Sequence, residues 1–309
     1  MKKILLIFCL IVILGVVLLI LKRGYERYNQ IISRRDVQFL SSQDLIKVMT
    51  FNVRVDFIFD IWNRWDNRKD IVFDILADNA ADVMGLQEIT DFQIQQVHQA
   101  LPQYDYYAVG RNDGNQKGEC CAIFYRKNRF KLVDSGTFWF SDTPLKPGTK
   151  YFRTIFPRIC SWVYLVEKDE NIGFYVYNIH LSKISQSSRE KSVELLLKQI
   201  ASRSKMQEPF IVMGDFNMEL DNFAMKYLQG INCQNPYLKM KEAWQFLHPD
   251  KSFDIGTFHD FTGCLSGPKI DHIFIGNACA FEVNIDRRNV DGQYPSDHFP
   301  VIANISLRK

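Results

Sequence analysis

The residues best suited to chemistry in this 309-residue sequence stand at the ends of apolar, β-type runs. They are carboxylates, amides and histidines, which strand propensity alone does not place there. Carboxylate and amide oxygens are hard ligands suited to Mg²⁺, Ca²⁺ or Mn²⁺, and a histidine beside phosphate donates hydrogen bonds or carries positive charge. The set indicates metal-assisted phosphoryl chemistry. Its members are Asn52, Glu88, His180, Asp215, Asn217, Asp271, Asp297 and His298.

The spacing of Asp215 and Asn217 adds a mechanistic detail. Two residues apart in an extended segment, both side chains project to one face, where a base and an orienting amide can address one water molecule. Each residue also has a structural alternative when taken singly. The Gly-Asp-Phe-Asn segment is typical of a turn, and His180 or His298 can be a hydrogen-bonded structural histidine. The recurrence of such residues at successive strand ends favours the functional interpretation.

Short β-type runs alternate with helical patterns from residue 45 onward, which predicts one mixed α/β domain without internal repeats. Helices are predicted at 68–78 and 189–202, where apolar side chains recur at helical spacing and mark core-facing stripes. Binding sites in α/β sheets tend to lie at strand ends, where loops present side chains from a rigid support. The predicted strands are 46–53, 83–87, 122–125, 174–180, 210–214, 270–275 and 301–307.

Residues 4–21 form an unbroken apolar run. At 1.5 Å per helical residue the run spans about 27 Å, close to the thickness of the hydrocarbon core of a bilayer. It is longer than the hydrophobic stretch of a cleaved signal peptide and continues into Lys22 and Arg23 instead of a small-residue cleavage site. We therefore expect a transmembrane anchor or uncleaved signal at 1–21, a basic juxtamembrane linker at 22–44 and a catalytic domain at 45–309.

The charge distribution bears on membrane orientation and on substrate. The formal net charge is +3, but residues 1–40 hold seven basic and two acidic residues, so the rest of the chain is slightly acidic. A broad basic face for nucleic acid is not indicated, although a local basic groove is compatible with the composition.

The positive-inside rule favours a cytoplasmic catalytic domain. The Met-Lys-Lys start is also typical of exported proteins, which leaves an extracytoplasmic domain as the alternative.

Six motifs, in this order, resemble those of the endonuclease/exonuclease/phosphatase superfamily, which includes deoxyribonuclease-type nucleases, deadenylases, inositol polyphosphate phosphatases and neutral sphingomyelinases. The resemblance covers residues 45–307. It implies a four-layer α/β sandwich of two packed mixed β-sheets flanked by helices, with the site at one edge. The motifs are MTFNV at 49–53, GLQE at 85–88, NIHL at 178–181, MGDFN at 213–217, IDHI at 270–273 and SDHFP at 296–300.

The resemblance also implies a metal and its ligands. Glu88 is similar to the principal metal ligand of the family, with Asn52 beside it and Asp297 ligating or tuning the metal. The implied ion is Mg²⁺, with Mn²⁺ as the alternative. Arg111 and Arg158 are candidate phosphate clamps because a guanidinium offers paired donors, and a surface ion pair is their structural alternative.

The catalytic roles are likewise carried over from the family. Asp215 resembles the residue that orients or deprotonates the attacking water, and Asn217 resembles its partner on the phosphate side. His298 is similar to the histidine that stabilises charge on the phosphoryl oxygens, with Asp271 fixing its tautomer and orientation. His180 is similar to a further histidine that contacts phosphate.

One departure from the family pattern concerns the substrate. After NIHL many relatives carry Asp and then His, whereas this chain has Ser182 and Lys183. Substrate contacts made through these two positions in relatives are therefore not carried over.

These observations predict a membrane-anchored, magnesium-dependent hydrolase that cleaves a phosphodiester or phosphomonoester by in-line attack of an activated water. A nuclease, deadenylase-like or DNase-like, is the favoured class, with nucleic acid as substrate. A lipid-headgroup phosphoesterase, either a sphingomyelinase or a phosphoinositide phosphatase, is the alternative that the anchor favours. A more distant alternative is a catalytically silent membrane adaptor, which would predict damage to the ligand set, and the sequence shows none.

Overall fold

The computed structural model describes residues 45–230, 238–251 and 253–308. The predicted anchor at 1–21 and linker at 22–44 lie outside the described residues. Within the described ranges, no helix combines the length and the apolarity needed to cross a bilayer. Ile46–Lys309 forms one compact unit.

The first of two six-stranded sheets is mixed. Its strands are β1 (Leu45–Asn52), β2 (Val83–Ile89), β3 (Tyr104–Tyr107), β4 (Cys120–Arg126), β11 (Cys279–Ile285) and β12 (Val301–Ser306). They lie in the order β11-β12-β1-β2-β4-β3. β1 and β2 are parallel, with Val48 opposite Val83, and the other pairings for which we describe a register are antiparallel.

The second sheet is also mixed. Its strands are β5 (Phe130–Trp139), β6 (Ile159–Glu167), β7 (Gly173–His180), β8 (Phe210–Asp215), β9 (Lys241–Glu242) and β10 (Asp271–Gly276). They lie in the order β5-β6-β7-β8-β10-β9. β7 and β8 are parallel, and β8 and β10 are antiparallel.

Alternation of side chains along the strands divides the core into layers. In β1, Ile46 and Val48 join the cluster between the two sheets, while Met49 and Phe51 join a cluster on the outer face of the first sheet. That outer cluster includes apolar residues of α1 (Trp65–Asn79) and α2 (Asp91–Ala100). α3 (Gln186–Ala201) and α4 (Phe223–Leu228) pack in the same way on the outer face of the second sheet.

The predicted four-layer sandwich of two mixed sheets flanked by helices is therefore confirmed. The seven predicted strands correspond to β1, β2, β4, β7, β8, β10 and β12, and the two predicted helices correspond to α1 and α3. Two further short elements are a 3₁₀ segment, Ile58–Asn63, and α5 (Ala243–Leu247). One boundary affects the site: β2 continues to Ile89, so Glu88 lies within the strand and does not follow it.

Candidate active site

Three adjacent strands of the second sheet place His180, Asp215 and Asp271 side by side. His180 ends β7 and Asp215 ends β8, and the two residues are register partners. Asp271 begins β10 and is the antiparallel partner of Asp215. All three are buried, and His180 Nε2 lies 3.3 Å from Asp215 Oδ2. Pairing of the three strands thus places these three side chains next to one another at one edge of the sheet.

The first sheet supplies Asn52 and Glu88. Asn52 ends β1 opposite Gln87 of β2. Glu88 has a φ of 58°, in the left-handed region, at the point where the register of β2 against β4 shifts. Such a conformation is uncommon for a residue with a side chain and clusters at functional sites. Oε2 of Glu88 accepts a hydrogen bond from Val55 N at 3.3 Å, and the carboxylate lines the cleft.

Asn52 connects the two half-sites. Its Nδ2 donates to Glu88 Oε1 at 3.2 Å and to Asp215 Oδ2 at 3.1 Å. Its Oδ1 accepts from the backbone N–H of Arg54 at 3.0 Å. One fully buried amide therefore fixes the carboxylate of the first sheet relative to that of the second.

The two histidines differ in charge. His298 Nδ1 lies 2.8 Å from Asp271 Oδ2. Burial opposes protonation, but the Asp271 carboxylate overcomes it and raises the pKa of His298 to about 10. Burial, with the positive charges of Arg158 and Arg111, holds the pKa of His180 well below its usual range. At neutral pH the site therefore contains one imidazolium and one neutral imidazole.

Asp215 lies between these histidines. Burial raises its pKa to about 7; His298 acts against this shift, while the negative charges of Asp271 and Glu88 add to it. The Oδ1 atom accepts from the backbone N–H of Asn217 at 2.8 Å. A carboxylate whose pKa lies close to the operating pH is suited to accept a proton from water.

Asn217 is held in the left-handed region, with a φ of 52°. Its Nδ2 donates to the carbonyl of Leu181 at 3.1 Å. It lines the same cleft as Asp215, and this cleft has a volume of about 90 Å³. The segment is not extended as predicted, since β8 ends at Asp215 and Asn217 turns out of the strand direction. Other lining residues are Arg54, Glu88, Arg158, His180, Lys183, Phe258, Ile270, Asp297 and His298.

Arg54 is a site residue that the sequence did not single out. Its Nη1 lies 3.8 Å from Glu88 Oε2 and 3.6 Å from Asp297 Oδ2. The guanidinium also donates two hydrogen bonds of 2.9 Å to the carboxylate of Asp60. Its position two residues after the end of β1 is the signal in the sequence, since a basic residue shortly after a strand end can reach the same sheet edge.

The two predicted phosphate clamps differ in their surroundings. Arg111 makes a bidentate ion pair with Glu119, each N–O distance being 2.6 Å, and it lines a small cavity next to the cleft. Arg158 lines both this cavity and the cleft, and within the described ranges its buried Nη1 has no hydrogen-bond partner. Among the described residues no carboxylate lies within ion-pair distance of Arg158, so its guanidinium is available to an anion.

The donor set suits a divalent cation. Two carboxylates, Glu88 and Asp297, share Arg54 with a third, Asp60, so one guanidinium faces three negative charges. Burial raises the pKa of Asp297 and Glu88 adds to the shift, while His298 and Arg54 act against it. Asp215, Asp271 and His298 also bring three polar atoms within 4.8 Å of one another, but the protonated His298 cannot serve as a metal ligand.

Solved structures share this architecture, and curated proteins are similar in sequence. An endonuclease/exonuclease/phosphatase from Bacteroides vulgatus has a TM-score of 0.76 and 29% identity, covering 85% of this chain and 99% of its own. The mannosyl-6-phosphatase of Bacteroides thetaiotaomicron has a TM-score of 0.75 and 29% identity, covering 84% and 99%. The 3'-5'-exoribonuclease subunit of the CCR4-Not complex from Phaeosphaeria nodorum is 25% identical over 134 residues, 38% of this chain and 22% of that protein.

Two packed mixed sheets with carboxylates and histidines at one shared edge define a class of hydrolases that act on phosphate esters. Within that class, the model of the Endonuclease/Exonuclease/phosphatase family matches residues 49–298, from the strand that carries Asn52 to His298. The chain belongs to this family, and the resemblance noted in the sequence is confirmed.

Proposed function

We propose that this protein hydrolyses a phosphomonoester with the help of a divalent metal ion, Mg²⁺ being the expected ion. The observation that carries the proposal is the pair of cations, Lys183 and Arg158, beside Asp215 and His298 in one cleft. Neither cation has a carboxylate within 4 Å among the residues that the structure describes. A terminal phosphate carries more negative charge than a diester, and two available cations match that charge.

The residues of the chain have distinct tasks in this reaction. Asp215 orients the attacking water and accepts its proton, while Asn52 and Asn217 N–H fix the two carboxylate oxygens. The protonated His298 donates from Nε2 to a phosphoryl oxygen, and Asp271 holds the ring through Nδ1. The water attacks phosphorus in line, and the ester oxygen leaves on the opposite side.

Glu88 and Asp297 would hold the metal ion. When bound, a divalent ion polarises a phosphoryl oxygen and neutralises charge that develops on it. Asn52 stays predicted as a ligand beside Glu88, because its Oδ1 accepts one hydrogen bond, from Arg54 N, and keeps a second lone pair. Its amide nitrogen donates to Glu88 and Asp215 and so also positions these two carboxylates.

A nuclease, the class that the sequence favours, is the second candidate. It is supported by the partial likeness to the exoribonuclease subunit, whereas the mannosyl-6-phosphatase is similar over nearly the whole compact unit and supports a monoester.

We also propose that residues 4–21 attach the protein to a membrane, with the catalytic unit on the cytoplasmic side as the flanking basic residues favour. Protease accessibility in intact and permeabilised cells tests that orientation.

The test uses purified full-length protein with Mg²⁺, Mn²⁺ or chelator. Substrates are mannose 6-phosphate, a dinucleotide diester, single-stranded RNA and a phosphoinositide. We expect chelator-sensitive release of inorganic phosphate from a monoester, reduced about 10²- to 10⁴-fold by Asp215→Asn. Asp221→Asn, the same change at an exposed position nearby, should leave the rate unchanged. Cleavage of RNA without phosphate release from any monoester would assign the nuclease instead.

The two cations give a sharper test of the substrate class. Lys183→Met should raise KM for the monoester about 10- to 100-fold, because it removes a charged hydrogen-bond donor to phosphate. Lys198→Met, at a position exposed on α3, is the matched control. If Lys183→Met changes KM for monoester and diester by equal factors, the charge argument for a monoester is wrong.

A further inference from the structure

The loop that follows β1 exposes apolar side chains that globular proteins normally bury. Five of six consecutive residues from 57 to 62 are large, apolar and solvent-exposed, with Phe59 at 76% and Trp62 at 82%. Contiguous apolar surface of this kind marks an interaction site. The members of this first loop are Phe57, Ile58, Phe59, Ile61 and Trp62.

A second loop, between β5 and β6, has the same character. Phe152 is 87% exposed, and the loop adds further exposed apolar side chains. Its residues 141–157 include three lysines or arginines and one acidic residue. The exposed apolar members are Leu145, Phe152, Ile155 and Phe156. We call the two loops together the apolar rim.

Both loops contact arginines at the active site. The Arg54 guanidinium lies 5.6 Å from the ring centroid of Phe57, and Arg54 lines the catalytic cleft. The Arg111 guanidinium lies 4.9 Å from the ring centroid of Phe156, in the cavity that shares Arg158 with the cleft. The first loop therefore lies beside the catalytic cleft, and the second lies beside the cavity that adjoins the cleft.

We propose that the apolar rim docks on the surface of a lipid bilayer and holds the cleft at that surface. The rim has five aromatic and four aliphatic members, and the aliphatic side chains suit acyl chains while offering nucleobases no stacking surface. Trp and Phe interleaved with Lys and Arg are typical of membrane interfaces. The inference rests on the membrane attachment proposed for the apolar run at 4–21, which would place a bilayer within reach.

Charge complementarity favours an anionic bilayer in particular. Lys146, Lys150 and Arg153 are exposed between the apolar members of the second loop. Basic side chains near a bilayer are attracted by anionic headgroups. Residues 141–157 carry a net charge of +2, three basic residues against Asp142, although the chain outside residues 1–40 is slightly acidic. The docking is independent of which phosphate ester the enzyme cleaves.

The experiment measures contact between individual tryptophans and lipid. Full-length protein is reconstituted into vesicles of phosphatidylcholine and phosphatidylglycerol, with and without bromine on the acyl chains, which quenches tryptophan on contact. The difference in emission between wild type and Trp62→Phe gives the emission of Trp62 alone. Phenylalanine is chosen because it keeps this position apolar. Phe152→Trp in the Trp62→Phe background reports on the second loop.

We expect both reporters to lose most of their emission in brominated vesicles. Val133→Trp in the same background is the matched control, because Val133 is exposed on β5 and belongs to neither loop. The tryptophan at position 133 should lose little emission, although this variant keeps the same apolar run at 4–21. Unquenched rim reporters, or equal loss at Val133→Trp, would overturn the proposal. If brominated lipid does not quench the reporters but single-stranded oligonucleotide does, the proposal is overturned and the rim binds nucleic acid. If only self-association in detergent quenches them, the rim binds a second copy of the chain.

Discussion

Replacing Glu242 with Gln removes the carboxylate at the centre of a buried ionic network behind the active site. Glu242 Oε1 lies 2.8 Å from Lys269 Nζ and 3.3 Å from His272 Nδ1. Lys269 Nζ also donates to the carbonyl of Asp271 at 3.1 Å. The other oxygen of Glu242 accepts from Gln245 N at the start of α5. The network therefore connects β9, β10 and α5.

The magnitude follows from the titration of Glu242. Burial alone would raise its pKa, but Lys269 and His272 lower it from 4.5 to about 2. At about 1.4 kcal/mol per unit, this shift corresponds to about 3 kcal/mol of folding free energy. Because the folded-state pKa is the lower one, the contribution is present above pH 4.5 and is lost as the pH falls towards 2. Removing one partner of a buried ion pair costs about 3–5 kcal/mol, which agrees.

Urea unfolding followed by tryptophan fluorescence is the assay. Glu242→Gln should lower the free energy of unfolding by about 3 kcal/mol at pH 7, with a smaller difference from wild type at pH 3. Glu194→Gln makes the same chemical change in an exposed pair on α3 and should cost less than about 1 kcal/mol. If Glu242→Gln costs no more than Glu194→Gln at pH 7, the buried network does not stabilise the fold as argued.

Three further predictions concern the site and its supporting strands. Glu88→Gln should weaken binding of Mg²⁺ or Mn²⁺ in calorimetry about tenfold or more, and unchanged affinity would exclude Glu88 as a ligand. Asp271→Asn should lower kcat about 10²-fold or more with little change in KM, because His298 loses its anchor; equal changes in both would contradict a positioning role. Gly214→Ala should lower stability by about 1–3 kcal/mol in thermal unfolding, since φ is 148° and a Cβ would meet the backbone oxygen of Ile179; a stable variant would disprove the close approach.

The predictable part of the fold rests on strands and helices with strong periodicity. α1 and α3 have regular apolar stripes, and β1, β7 and β8 have unbroken β-type runs, so pattern alone located them. β5 was missed because Lys131, Asp134 and Ser135 interrupt its sequence on an edge strand that is exposed on one side. β9 contains only two residues, too few for any pattern.

The site was predictable in its membership but not in its connections. A polar residue at the end of an apolar run is visible in the sequence, which is how Asp215 and His298 were found. Arg54 pairs with Glu88 because the backbone of β2 is irregular at Glu88, and with Asp297 because the loop before β12 returns to the site. Neither feature is visible in a local sequence pattern. The ion pair that occupies Arg111 is likewise set by the return of the chain to Glu119.

The site is divided between two sheets, so its geometry depends on how firmly the sheets are held together beneath it. Gln87 Nε2 donates to Asn178 Oδ1 at 2.6 Å across the sandwich, and Asn178 Nδ2 donates to the carbonyls of Leu86 and Ala122 at 3.1 and 2.8 Å. Gln87 precedes Glu88 by one residue in β2, and Asn178 precedes His180 by two residues in β7. Buried amides lose hydrogen bonds if the sheets shift, whereas apolar contacts tolerate sliding. The two motifs therefore combine a residue that acts in the cleft with a residue that fixes the relative position of the sheets.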